Sequence, residues 1–126
     1  MKVLISVKPA VAQAITAGKK RFEYRKSLFK RPNITAIVIY ATQPWGKVVG
    51  EFTIRQIIQG KPTTLWQQTG VGSGTTVAAF QAYFAGCQKG YAIEVDQLTV
   101  YETPLTLTQL DRRLQTAPRS YRYLDG

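Results

Sequence analysis

The sequence contains no histidine and a single cysteine, Cys87, among its 126 residues. Those two shortages remove an internal disulfide, the usual zinc-ligand sets and every histidine-dependent catalytic triad. Acids are scarce as well, seven against seventeen lysines and arginines, for a net charge of +10. Long hydrophobic runs are missing too: the apolar stretch from Val3 to Val7 gives way to Lys8, too short for a signal-peptide core or a membrane span. A cytoplasmic location without membrane association is the expectation. Any chemistry has to rest on lysine, arginine, glutamate, aspartate, tyrosine, serine or threonine.

What is present is enough apolar material, 44% of residues, for one core, and the length suits a single domain spanning residues 1–126. The charge is unevenly spread. Met1 to Pro62 holds twelve lysines and arginines against Glu23 and Glu51, whereas Thr63 to Gly126 holds five of each sign. A basic surface concentrates polyanions and gains free energy as they shed condensed counterions, so nucleic acid is the leading partner class. The same composition suits a basic protein whose charges only keep it dispersed.

Along the chain, Lys2 to Val7 reads as a strand. Pro9 then opens a helix over Ala10 to Ala17, with Gly18 as its stop. Lys20 to Lys26 alternates, placing Phe22 and Tyr24 on one face and Arg21, Glu23 and Arg25 on the other. Ile34 to Thr42 has the apolar, β-branched character of a strand buried on both sides, and Lys47 to Ile58 forms another after a turn at Gln43 to Gly46. Helices are predicted over Thr64 to Thr69 and Thr76 to Ala85, then a strand over Tyr91 to Tyr101. A last helix is marked by Leu107, Leu110 and Leu114, and an extended tail follows Pro118. Strands with short inserted helices predict an α+β fold with a curled or closed sheet.

Gly18-Lys19-Lys20-Arg21-Phe22-Glu23-Tyr24-Arg25 fits the pattern G-x-K-x-x-E-x-R at the exit of the first helix. On this motif and its setting the chain resembles the ASCH domain family of the PUA-like superfamily. Leu4 to Pro9, Ile39 to Thr42, Val49 to Phe52, Gly90 to Ile93 and Ser120 to Leu124 look similar too. The resemblance implies a PUA-like small β-barrel with short flanking helices beside a cleft. The residues support a site independently. Glu23 and Arg25, two apart on a strand, project to one face, where the carboxylate can orient the guanidinium toward a phosphate or a base edge. An exposed salt bridge of little energetic value is the plainer alternative.

The candidate ligand- or RNA-binding residues are Lys20, Glu23, Arg25, Lys26, Thr42, Trp45, Arg119 and Arg122. Trp45, in a turn beside Pro44, could stack on a base or cap the barrel. Arg119 and Arg122 are interleaved with tail tyrosines. Trp66 reads as core. Gly70 to Gly74 superficially resembles a phosphate loop, but it follows a helix and lacks the subsequent lysine, so it reads as a flexible connector.

Some proteins of this fold hydrolyse acetylated cytidine with a lysine, a nucleophilic threonine and a glutamate. Lys20 matches that lysine, but Glu23 occupies the threonine's place and has no hydroxyl for acyl transfer, so that activity is not expected. The reading is therefore a binding module for RNA, single-stranded nucleic acid or a nucleotide-like ligand, with no metal and no cofactor. The alternatives are a nuclease or amidohydrolase using Lys20, Glu23 and Arg25, and an adaptor whose positive face meets an acidic protein.

Overall fold

The computed structural model of the chain describes residues 1–124. Strand β1 (Lys2–Val7) leads into α1 (Pro9–Thr16), which Lys8 and Pro9 initiate and Gly18, at φ +76°, terminates. Strands β2 (Phe22–Arg25), β3 (Ala36–Ala41) and β4 (Lys47–Gly60) follow, then α2 (Pro62–Thr69), α3 (Val77–Tyr83), β5 (Gly90–Leu105), α4 (Leu107–Leu110) and β6 (Tyr121–Leu124). The strands form one sheet in the order β2-β5-β4-β3-β1-β6, with β1 and β3 parallel and the other pairs antiparallel.

The sheet has apolar side chains on both faces, which is why β3 reads as an unbroken apolar run. Val3, Ile5, Ile37, Ile39, Phe52 and Ile93 pack inward with Ala12 and Ile15 of α1. Their alternates Leu4, Val38 and Tyr40 pack outward against Val48 and Leu114. Register shifts in the β4–β5 ladder bend the sheet into a curled half-barrel. At Gly50 a Cβ would lie 2.6 Å from the Thr99 carbonyl oxygen, so only glycine lets the two long strands approach there.

The curl brings the two sheet edges toward each other. Arg25 at the β2 edge donates to the Ser120 hydroxyl just before β6. Phe29 meets Tyr121 edge-on at 6.1 Å, and the Tyr123 hydroxyl accepts from the Lys30 and Arg31 amides at 2.8 and 3.0 Å. The tail is therefore a strand of the sheet. A third cluster, of Tyr24, Leu65, Phe80, Phe84 and Ala92, fastens α2 and α3 over the β2–β5 corner. There Phe80 contacts Tyr24, Trp66 and Phe84 at ring separations of 4.9, 5.0 and 4.9 Å.

The helix expected to run through Leu114 stops at Leu110. Asp111 is extended (φ −154°, ψ 121°) and its carboxylate accepts from the Arg113 amide at 2.9 Å, so the side chain caps a turn in place of another helical turn. Leu114 is nonetheless fully buried. Among the described residues no helix is long and apolar enough to cross a membrane.

Candidate functional site: a half-charged cleft

Between α1, β2 and α3 lies a cleft of about 480 Å³, in the range of small-molecule and nucleotide sites. Its polar lining comes from Ser6 and Lys8 at the end of β1, from Lys20, Glu23 and Arg25, and from Thr75; Val11, Ala79, Phe80 and Tyr83 supply apolar wall. The two sides differ for a reason visible in the chain: Pro62 to Gln88, which builds α2 and α3, contains no charged residue.

Lys20 is 6% exposed, and its ammonium donates to the Ser73 carbonyl oxygen at 3.1 Å and lies 4.7 Å from the centre of the Tyr24 ring. Burial pulls its pKa below that of an ordinary lysine, and the nearby Glu23 charge opposes this. Glu23 is 5% exposed and stands 3.5 Å from Arg25 Nη1. Desolvation raises its pKa above the usual carboxylate value; the charges of Lys20 and Arg25 oppose that shift without overcoming it. Arg25 divides its guanidinium between Glu23 and the Ser120 hydroxyl. Tyr83 closes the side: its hydroxyl donates to the Tyr24 carbonyl at 3.3 Å, and Lys26 places its ammonium 4.9 Å from the ring centre.

One alternative falls here and one expectation changes. Glu23 and Arg25 do share a face, as their spacing requires, but α1 and α3 cover it, so the pair is not an exposed salt bridge. The Gly70 to Gly74 segment is no free connector. Ser73 is fully buried, the Gly72 carbonyl accepts from the Arg21 amide at 2.7 Å, and a Cβ on Gly74 would fall 2.7 Å from Lys20 Cβ. This segment holds Lys20 in place.

The structure brings Lys20, Glu23 and Arg25 together, with Lys26 beside them through Tyr83. Thr42, Trp45, Arg119 and Arg122 do not line the cleft. Thr42 donates its amide to Val7, and Trp45 packs against the inner core. Arg122 projects from β6 opposite Leu4, and both it and Arg119 are exposed. Sequence reasoning passed over Lys8, Thr75 and Tyr83. The Tyr83 signal was its position one residue before the core Phe84, which turns it off the buried face of α3. Lys89, expected to sit in a region of balanced charge, shares with Lys61 a second, open concavity of about 650 Å³ lined by no acid.

The ASCH domain model matches residues 5–103. The chain belongs to the ASCH domain family. This ASCH domain is 33% identical to the ASCH domain-containing ribonuclease of Zymomonas mobilis subsp. mobilis, over 86% of this chain and 84% of that protein. The crystal structure of ASCH from Zymomonas mobilis superposes with a TM-score of 0.87 at 30% identity, covering 98% of this chain and 87% of that one. The Ureaplasma parvum large ribosomal subunit protein uL22 is 24% identical over 97% of this ASCH domain, which spans 39% of that protein's length. The PUA-like half-barrel with its short helices is thus the fold of the ASCH structures.

Proposed function

We propose that this ASCH domain binds single-stranded RNA, with one nucleotide seated in the cleft between β2 and α3. The observation that carries the reading is the convergence of Lys20, Glu23 and Arg25 in one nucleotide-sized cavity, in the half of the chain that holds the whole basic excess. Lys8 and Lys26 extend the positive rim along which a phosphate backbone can run, while the apolar α3 wall receives a base. RNA affinity should fall linearly in log–log form with salt, by roughly 0.7 for each phosphate neutralised. Fluorescence anisotropy of labelled single-stranded RNA across a salt series tests this. Lys8→Ala and Lys26→Ala should each flatten the slope; slopes equal to wild type would reduce the charge to a solubility device.

A second reading, cleavage of the bound strand, is favoured by the relation to the Zymomonas ribonuclease. RNA carries its own nucleophile. The 2′-hydroxyl gives up a proton as its oxygen attacks phosphorus, and the departing 5′-oxygen takes one up. Lys20 and Glu23, whose burial shifts bring an amine and a carboxyl toward neutrality, have the chemistry of such a base and acid. Arg25 lines the same cleft, and its guanidinium is the kind of group that stabilises developing phosphorane charge. Shortening of end-labelled RNA, abolished by Lys20→Ala and by 2′-O-methyl substitution of the strand, is the expected result. Full-length RNA after prolonged incubation with excess protein would leave binding as the function.

A further inference from the structure

The floor of the cleft carries a carboxylate, Glu23, whose partners within its own chain are the Arg25 guanidinium and the Tyr24 amide. Glu23 is almost completely buried, yet Arg25, its ion-pair partner, stands at 3.5 Å, well outside the 2.7–2.9 Å of a strong charge-assisted bond. Lys20 offers three N–H donors and, among the described residues, makes one hydrogen bond, to Ser73. Among the described residues no salt bridge joins Lys20 to Glu23, although both face the same space. A buried carboxylate requires hydrogen-bond donors, and a phosphate placed against it would be repelled. The group that meets both side chains must offer N–H donors to Glu23 and an acceptor to Lys20, with phosphates kept to the rim at Lys8 and Lys26.

We infer that the cleft selects guanine, with Glu23 accepting from the N1–H and N2 amino groups and Lys20 donating to O6; this rests on the reading of the cleft as an RNA site. Of the four RNA bases, guanine alone carries two adjacent N–H donors on its pairing edge, spaced to meet both oxygens of one carboxylate, with an acceptor beside them. Adenine and cytosine each bring one amino group next to a bare ring nitrogen, whose lone pair would face the second carboxylate oxygen. Uracil brings one N–H between two carbonyls, and these would repel it. The apolar wall of Val11, Ala79, Phe80 and Tyr83 provides the flanking surface against which a planar ring lies. Arg25, tied to Ser120, is the positioning residue that keeps Glu23 aimed.

The test uses the full chain and a short uridine oligomer with one central position changed to guanine, inosine, adenine or cytosine, titrated by anisotropy at fixed salt. Guanine should bind about tenfold more tightly than adenine, cytosine or the plain uridine oligomer, which is the discrimination typical of one bidentate pair. Inosine, which lacks the N2 amino group, should fall between. In Glu23→Gln the ratio of guanine-containing to plain oligomer should drop to near one. If the plain oligomer binds and guanine adds nothing, or if inosine equals guanine, the base assignment is wrong while RNA binding stands. A guanine preference that survives Glu23→Gln overturns the role of Glu23. Should none of the oligomers bind at low salt, the RNA reading falls and the base assignment with it.

Discussion

Glu23 and Glu51 are the two acids of the basic first half, and both lie on strands, yet the fold treats them in opposite ways. Glu51 has a side chain 23% exposed, with Lys2 Nζ at 2.7 Å on one oxygen and the Tyr101 hydroxyl donating at 2.8 Å to the other. Desolvation pushes its pKa up, but Lys2 and Tyr101 together outweigh that and bring it below the ordinary value. Glu23 is more deeply buried, has its basic partner at a longer distance, and is shifted the other way by desolvation. One carboxylate is held by two short hydrogen bonds from its own chain; the other has a longer ion pair and faces a cleft. Such a group lowers the stability of the empty protein, a cost that a ligand can offset.

The largest change should follow from disturbing what holds Lys20 opposite Glu23. Gly74 sits at φ +68°, and a Cβ there would lie 2.9 Å from Lys20 Cα, a backbone atom that cannot turn aside. Gly74→Ala should cost about 2–3 kcal/mol of stability, through left-handed strain together with the clash. Urea denaturation measures it, and a midpoint equal to wild type would mean that the loop does not position Lys20. Next in size, Arg25→Ala should weaken RNA binding by about 2 kcal/mol, because it truncates one member of a buried charge pair and leaves Glu23 without its cation. The comparison would collapse if Glu51→Gln weakened binding equally. That substitution should instead leave RNA affinity unchanged and lower folding stability by about 1 kcal/mol, through loss of the Lys2 ion pair.

How much of this was legible beforehand depended on whether a feature is local. The stop at Gly18, the shared face of Glu23 and Arg25 and the doubly buried β3 follow from short-range periodicity, and each is found in the fold. The opposite wall of the cleft was not legible. Thr75, Ala79 and Tyr83 lie more than forty residues further along the chain, and they reach β2 only because Leu65, Phe80 and Phe84 clamp the uncharged α2–α3 insert onto Tyr24. The curl that carries Ser120 to Arg25 arises from bulges in the β4–β5 ladder, which no residue pattern announced. Arg119 and Arg122 suggested RNA by composition, but neither lines the cleft, and Arg122 pairs with Leu4, which packs on the outer face of the sheet.

The smallest expected effect is also the most direct test of the contrast, since it concerns the sign of a slope. For Glu51 the folded pKa lies below the unfolded value of about 4.5, so the folded state holds the ionised form more tightly. Its contribution is present above pH 4.5 and is lost as pH falls through the folded pKa. The stability deficit of Glu51→Gln relative to wild type should therefore grow between acidic and neutral pH. For Glu23 the folded pKa lies above the unfolded value, so the folded state favours the protonated form. That contribution is present below pH 4.5 and disappears as pH rises through the raised pKa. Glu23→Gln, which mimics the protonated carboxyl, should consequently gain on wild type over the same rise in pH. Urea titrations of the three proteins from mildly acidic to neutral pH should give difference curves of opposite slope. Parallel curves would mean that Glu23 is as fully satisfied by its own chain as Glu51, and the cleft would lose the group that most plainly awaits a ligand.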